Sequence, residues 1–344
     1  MIVPDIKESW PGRVNTVMIG ATKAQGGTRG RTITIGGASG VPFLSFDGEM
    51  PNPPAIAIEV FDKEPVAWPK PLEDVYRDVW SDPPAWACRA KELGADLVNL
   101  RLVSTHPDEG NCSAEEALET VQAVLEAVDL PLIVWGCQVP EKDQKVMPKV
   151  AEATQGENCL LGAAAETGYR TLTAAAQAYG HKLIALAPCD INKTKQVNIL
   201  VTDMGYPLRD IVVYPTTAAL GYGMEYIYSI LERGRLAALS GDRLLAQPVI
   251  LDVGYEAWRA KEAKADDKFA DTWGPAHQRG PAWEAVTAMT FLQGGVDLLV
   301  MCHPKAVEAV RNAIGQLVGE RPTLPTQDTD LALLTSTSSQ GGAR

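Results

Sequence analysis

The sequence predicts an α/β fold, a closed (β/α)8 TIM barrel, on three observations. Eight short apolar runs recur along it: 55–60, 96–103, 130–137, 158–165, 182–188, 210–216, 248–254 and 297–303. A stretch with helical spacing follows almost every run, and strands that alternate with amphipathic helices build a parallel sheet, because parallel strands need a long crossover. The units together occupy about 250 residues, the usual extent of such a barrel. An open doubly wound sheet uses the same units, but it usually carries a glycine-rich first turn for a nucleotide. No G-x-G-x-x-G follows any of these runs.

Residues 1–54 form an N-terminal extension. Thr16-Val-Met-Ile-Gly20 and Thr32-Ile-Thr-Ile-Gly36 alternate and are β-branched, with a glycine-rich turn between them, which predicts a β-hairpin. Such a hairpin can plug the bottom of the barrel. Its Gly-Gly-Thr-Arg-Gly run can also be read as a phosphate cradle, but it precedes a strand and lacks the helix N-terminus that phosphate loops use. Prolines exclude regular structure from 46–54. The barrel spans 55–319. After the first strand a long connection through Trp68 and Trp80 reaches a helix near 84–94. Ser113-Ala-Glu-Glu116 is a capping box that opens the next helix, whose apolar residues Ala117, Val121, Val124, Leu125 and Val128 share one face. Asp190 or Asn192 caps the helix after the fifth strand. The seventh strand is followed by the longest insertion, 255–280, and Pro304 opens the last helix. Residues 320–344 are Pro-, Thr- and Ser-rich and read as an extended or disordered tail.

Composition narrows the function classes. The 344 residues suffice for one large core, and the net charge of −12 argues against nucleic-acid and anionic-membrane partners. No apolar run approaches the roughly 20 residues of a membrane helix, and the N-terminus lacks a signal-peptide core, so the chain is expected to be cytoplasmic. The six cysteines stand at no paired spacing, which predicts isolated reduced thiols rather than disulfides or a local metal motif.

Catalytic groups in this fold stand at the C-terminal ends of the strands. The inventory there is Glu59, Arg101, Thr105, His106, Glu166, Asp190, Asn192, Thr216, Thr217, Asp252 and His303, with Gly254 beside Asp252. Lys182, the one lysine on a predicted strand, lies at the wrong end for Schiff-base chemistry. Glu59, Glu166, Asp252 and His303 are either hard ligands for a divalent ion, as in a metal-dependent lyase or hydrolase, or helix caps and partners for Arg101. His106 and His303 are acid–base candidates or caps. No catalytic residue is assigned.

Longer runs carry a resemblance. They are Gly20-Ala-Thr-Lys-Ala-Gln-Gly-Gly-Thr-Arg-Gly30, Phe46-Asp-Gly-Glu-Met-Pro51 with Ile58-Glu-Val-Phe-Asp62, Ala187-Pro-Cys-Asp-Ile-Asn192, Pro215-Thr-Thr-Ala-Ala-Leu-Gly-Tyr-Gly223 and Trp273-Gly-Pro-Ala-His-Gln-Arg-Gly-Pro281. Across residues 13–318 the chain resembles the small subunit of the corrinoid iron–sulfur protein, the delta subunit of the acetyl-CoA decarbonylase/synthase complex. The resemblance implies a barrel paired with a large corrinoid iron–sulfur subunit as a heterodimer, a non-catalytic component of the reductive acetyl-CoA (Wood–Ljungdahl) pathway of anaerobic carbon fixation. In that family the corrinoid (cobamide) lies at the interface with the large subunit. Its cobalt takes a methyl group from methyltetrahydrofolate through a methyltransferase and delivers it to acetyl-CoA synthase/CO dehydrogenase. No iron–sulfur cluster is expected in this chain. Strand-end position makes Thr105, His106, Asp190, Asn192, Thr216, Thr217, Asp252 and Gly254 the expected corrinoid-binding residues. A pterin-dependent methyltransferase barrel acting on methyltetrahydrofolate is the alternative. Asp96 and Asn99 would then hold the pterin, although Asp96 opens its strand.

Overall fold

The computed structural model describes residues 7–268 and 271–319. Ten strands occur in chain order: β1 (Thr16–Ile19), β2 (Ile33–Gly36), β3 (Ala55–Phe61), β4 (Leu97–Arg101), β5 (Leu132–Trp135), β6 (Leu160–Ala165), β7 (Lys182–Leu186), β8 (Ile211–Tyr214), β9 (Ile250–Leu251) and β10 (Leu298–Met301). The helices are α1 (Lys70–Tyr76), α2 (Pro83–Glu92), α3 (Ala114–Ala127), α4 (Pro140–Ala153), α5 (Tyr169–Tyr179), α6 (Ile191–Asp203), α7 (Met224–Leu239), α8 (Val253–Ala257), α9 (Lys261–Lys264), α10 (Ala276–Gly294) and α11 (Pro304–Leu317).

Strands β3 to β10 form one parallel sheet in the order β8-β7-β6-β5-β4-β3-β10-β9. Val213 bridges Val249 in parallel, and the Val213 amide donates to Pro248 O at 2.8 Å, which closes the ends of the sheet on each other. The eight predicted strands are therefore the eight barrel strands. Their residues are almost continuously buried, as expected where helices cover a parallel sheet. Trimming at the ends has physical causes. The seventh predicted run, 248–254, yields only Ile250–Leu251, because α8 begins at Val253 and Asp252 turns into the barrel centre. The sequence reading missed α1, which begins beside Pro69 and Pro71.

The predicted hairpin forms, with Thr16 paired to Gly36 and Ile19 to Ile33. It covers the N-terminal end of the barrel: the Gly20 amide donates to Asn158 O at 2.8 Å and the Asn15 amide to Ala246 O at 2.5 Å. Val17, Ile19 and Ile35 join the core. The glycine-rich turn serves as an anchor. Arg29, buried, donates to Glu157 Oε2 (2.7 Å) and to the carbonyls of Val128 (2.6 Å), Leu130 (3.3 Å) and Leu125 (2.8 Å). That guanidinium is fully engaged within the protein, which removes the reading of the run as a phosphate cradle.

The other local signals hold. Ser113 and Glu116 form both arms of the capping box, Asp190 caps α6, and Pro304 opens α11. The insertion after β9 contains α8 and α9 and runs into α10. All six cysteines are free thiols.

Candidate functional site

Every barrel strand directs its C-terminal end to one face. At its centre the side chains of Glu59 on β3, Arg101 on β4 and Asp252, just past β9, meet. Arg101 Nε contacts Glu59 Oε1 at 3.0 Å, and Arg101 Nη2 contacts Glu59 Oε2 and Asp252 Oδ2 at 3.2 Å each. Asn99 Nδ2 donates to Glu59 Oε1 at 2.8 Å. The other Asp252 oxygen accepts from the Tyr214 hydroxyl at 2.7 Å and the Thr217 hydroxyl at 2.5 Å. The guanidinium lies between the rings of Trp135 and Tyr255, 5.0 and 4.7 Å from their centroids. Such a sandwich favours Arg over Lys. Burial opposes the charge on Arg101, but Glu59 and Asp252 outweigh it and hold its pKa above the ordinary value. Burial pushes Glu59 above the usual carboxylate range, with Arg101 partly offsetting it. Tyr214, also driven up by burial, keeps its proton and donates. The charged groups satisfy one another at the barrel mouth, whereas Asn99 Oδ1 and Trp135 Nε1 beside them are buried without a hydrogen-bond partner among the described residues.

Beside this network, Glu284 of α10 bolts the insertion to the end of β10. Its carboxylate accepts from the amides of Cys302 (2.5 Å) and His303 (3.0 Å) and from Trp258 Nε1 (2.6 Å). Trp258 stacks on His303 with ring centroids 5.8 Å apart. Burial raises Glu284 to about 7 and lowers His303 to about 4. Gly254 permits the close approach of α8 to this strand end, since a Cβ there would lie 2.7 Å from the Cys302 amide nitrogen. Above the bolt lies a hollow of about 360 Å³ walled by Phe61, Trp68, Tyr255 and Trp258, with Lys63, Arg259 and Lys264 also lining it.

The eight residues expected at the cofactor divide into two groups. Thr105, Thr217, Asp252 and Gly254 are buried. The Thr105 hydroxyl donates to Leu102 O at 2.8 Å, and Thr217 and Asp252 bind each other. His106, Asp190, Asn192 and Thr216 remain on the rim, half-buried or exposed. His106 Nδ1 accepts from the Asp108 amide at 3.1 Å, so the neutral ring carries its proton on Nε2. Asp190 Oδ1 accepts from the amides of Asn192 (2.8 Å) and Lys193 (3.1 Å). Thr216 has φ 65°, a left-handed conformation that is an outlier for a β-branched residue. Cys189 at the adjacent strand end and Gln138 after β5 share that sign, at φ 44° and 66°. Backbone strain of this kind tends to gather at functional surfaces.

Of the residues considered as metal ligands, Glu59 and Asp252 are partners of Arg101. Glu166 is exposed, with its Oε1 accepting from Gln196 Nε2 at 3.3 Å, and His303 Nδ1 accepts from the Lys305 amide at 3.1 Å as the cap of α11. Among the described residues no three His, Cys, Asp or Glu side chains converge as ligands. The sequence reading did not single out Glu284, Tyr214 or Tyr255. The one available signal was the pairing of polar Asn99 and Arg101 within an otherwise apolar strand.

A sequence profile described as "CO dehydrogenase/acetyl-CoA synthase delta subunit" matches residues 16–273. The chain is 41% identical over 320 residues to the acetyl-CoA decarbonylase/synthase complex subunit delta of Archaeoglobus fulgidus, covering 91% of this chain and 70% of that one. The chain belongs to the delta-subunit family. The delta subunit of Methanopyrus kandleri is 40% identical, with 93% of this chain and 79% of that one aligned. The family resemblance read from the sequence is borne out. Among solved structures, the delta-subunit barrel is similar to dihydropteroate synthase from Xanthomonas albilineans. One complex, with indole-2-carboxylic acid and 6-chloroguanine, gives a TM-score of 0.52 at 18% identity, covering 82% of this chain and 99% of that one. Another, with 4-aminobenzoic acid, gives 0.51 at 16% identity, covering 80% and 95%. At that identity the likeness shows that this delta-subunit family member shares the (β/α)8 fold.

Proposed function

We propose that this chain is the small subunit of the corrinoid iron–sulfur methyl carrier, and that its barrel top covers the corrinoid held by the large subunit. The observation that carries this reading is the division of the barrel top, on a chain of the delta-subunit family. The ionised groups at its centre are engaged with one another, while Asn192 and Thr216 stand at the rim with uncharged polar side chains, beside a hollow that Lys63, Arg259 and Lys264 also line. A corrinoid is a broad ring edged with amide arms, and amides need donors and acceptors without net charge. Asn192 is exposed and supplies both. The Thr216 hydroxyl and the Nε2 proton of His106 add further partners, so the residues present fit the group. When bound, the corrinoid supplies the cobalt that takes up and gives up a methyl group. This chain's part is to bind and orient: Asn192, Thr216 and His106 would meet the amide edge, Asp190 would hold Asn192 in place through its cap of α6, and the packed centre of Arg101, Trp135 and Tyr255 would exclude water beneath it. A methyltetrahydrofolate methyltransferase and acetyl-CoA synthase/CO dehydrogenase would be the successive partners of the heterodimer, in the cytoplasm. No helix among the described residues is long and apolar enough to cross a membrane.

The pterin-methyltransferase reading has less support. Asp96 lies at the N-terminal end of the barrel, where its Oδ2 accepts from the Ile56 amide at 3.0 Å and from Arg311 Nη2 at 3.0 Å. Asn99 is turned to Glu59 inside the barrel. The test is binding by the isolated chain and by its heterodimer. A heterodimer that retains corrinoid, with no methyltetrahydrofolate binding by the chain alone, supports the carrier reading. Tight methyltetrahydrofolate binding by the chain alone would replace it with the pterin reading.

A further inference from the structure

We propose that a cavity behind the seam of the barrel, between β8, β9 and the helices α6 and α7, is a binding site for an internal water molecule held on Arg235. The seam is the thinnest part of the sheet. β9 has two residues, and among the described residues it meets β8 through one bridge, Val213 to Val249, with the Val213 amide bonded to Pro248 O. The cavity behind it measures about 30 Å³, with Val213 and Val249 on one side and residues of α6 and α7 on the other. Four polar residues reach it: Thr194, Arg235, Gln247 and Asp297, each at most 5% exposed.

Arg235 is satisfied on one side alone. Nη2 donates to Gly295 O at 2.9 Å and stands 3.5 Å from Asp297 Oδ1, while Nη1 is buried with no hydrogen-bond partner among the described residues. A buried guanidinium N–H without an acceptor is costly, so the cavity calls for a ligand that accepts from it. The other polar groups there can receive a hydrogen bond in return. Thr194 Oγ1 donates to Asp190 O at 2.9 Å and keeps its lone pairs, and Gln247 Oε1 accepts from Asn198 Nδ2 at 3.0 Å with a second lone pair to spare. A molecule that accepts from a cation and donates to neutral oxygens is water. Charge weighs against an anion: Asp297 already stands beside Arg235, and a second negative charge would be buried without a counter-charge. Size weighs against anything larger, since a water needs about 10–15 Å³ of such space and the cavity holds one or two. Apolar voids stay dry, but a cation edges this one. Asp297 Oδ2 accepts from the Val249 amide at 2.9 Å, so the water would sit one residue away from the seam's own bonds.

The experiment is a high-resolution crystal structure of the full wild-type chain. One crystal is grown in sodium bromide and a second is pressurised with xenon, so that an anion and an apolar occupant each carry their own anomalous signal. The expected result is density for one or two waters in the cavity, the first within hydrogen-bond distance of Arg235 Nη1, with no bromide and no xenon peak there. A bromide peak on Arg235 would make the cavity an anion site and overturn the proposal. Xenon in the cavity, or no density beside Nη1, would show it to be dry and overturn the proposal as well. A side chain that swings over to accept from Nη1 would do the same. None of these outcomes touches the carrier reading, which rests on residues at the other face of the barrel wall.

Discussion

Arg101 and Glu59 face each other from neighbouring strands at the barrel centre, joined by two contacts, Nε to Oε1 at 3.0 Å and Nη2 to Oε2 at 3.2 Å. The same guanidinium also holds Asp252, which in turn holds Tyr214 and Thr217. One cation thus ties β3, β4, β8 and the end of β9 together at the level where the sheet closes.

Removing that cation leaves two buried carboxylates without a counter-charge. Arg101→Met is expected to destabilise the chain by about 3–5 kcal/mol, the usual cost of breaking a buried pair. Arg101→Lys should also lose stability, since it keeps the charge but not the fork or the stacking. Urea unfolding checks both. An Arg101→Met variant as stable as the wild type would mean that the network is not what holds the mouth closed.

At the opposite end of the barrel, Arg29 anchors the hairpin. Arg29→Ala leaves Glu157 without its counter-charge and the carbonyls of Val128, Leu130 and Leu125 without the guanidinium donor. Amide exchange measured by mass spectrometry should rise over residues 16–36 while the barrel strands stay protected. Uniform acceleration across the chain would instead show that hairpin and barrel open as one unit.

Glu284 makes stability depend on pH in a defined direction. Its folded pKa is raised from 4.5 to about 7, so the folded chain binds more protons than the unfolded one between those values. Its contribution to stability is therefore greatest below pH 4.5 and falls as pH rises to about 7. His303, lowered from 6.5 to about 4, acts in the opposite sense between those values. Comparing wild type with Glu284→Gln isolates the carboxyl: the wild type's stability relative to the variant should decline from pH 5 to pH 7.5. Parallel stability curves would contradict the burial argument.

On the rim, Asn192→Ala and Thr216→Ala should each lower the cobalt retained by the heterodimer after gel filtration. Thr105→Val, whose hydroxyl is directed to Leu102 O, should not. Thr216→Gly separates side chain from backbone: it should relieve about 1 kcal/mol of strain yet still lose cobalt. Unchanged cobalt in both Asn192→Ala and Thr216→Ala would remove these residues from the corrinoid face.

Much of the fold was legible because local pattern and global topology agree. Val98, Leu100, Ile133 and Val134 read as buried strand from sequence alone, and Ser113 with Glu116 marks a helix start that forms as expected. The candidate site was less legible. Glu59, Arg101 and Asp252 are separated by up to 193 positions in sequence (252 − 59), and no spacing rule brings them together. Only closure of the barrel does, with the result that acids plausible as metal ligands became partners of one arginine. Glu284 gave less signal still, because a lone acid on a helix reads as solvent-facing until Trp258 and the end of β10 are placed against it. Rim residues such as Asn192 were found by strand-end position, whereas the burial of Thr105 and Thr217 depends on tertiary packing.

The central claim is tested most directly by purifying the chain from its own cells under mild anaerobic conditions and measuring what travels with it. The account predicts a larger subunit at equal stoichiometry, an absorption spectrum with corrinoid and iron–sulfur bands, and cobalt and iron in the complex. A colourless chain without a larger partner and without cobalt would contradict it.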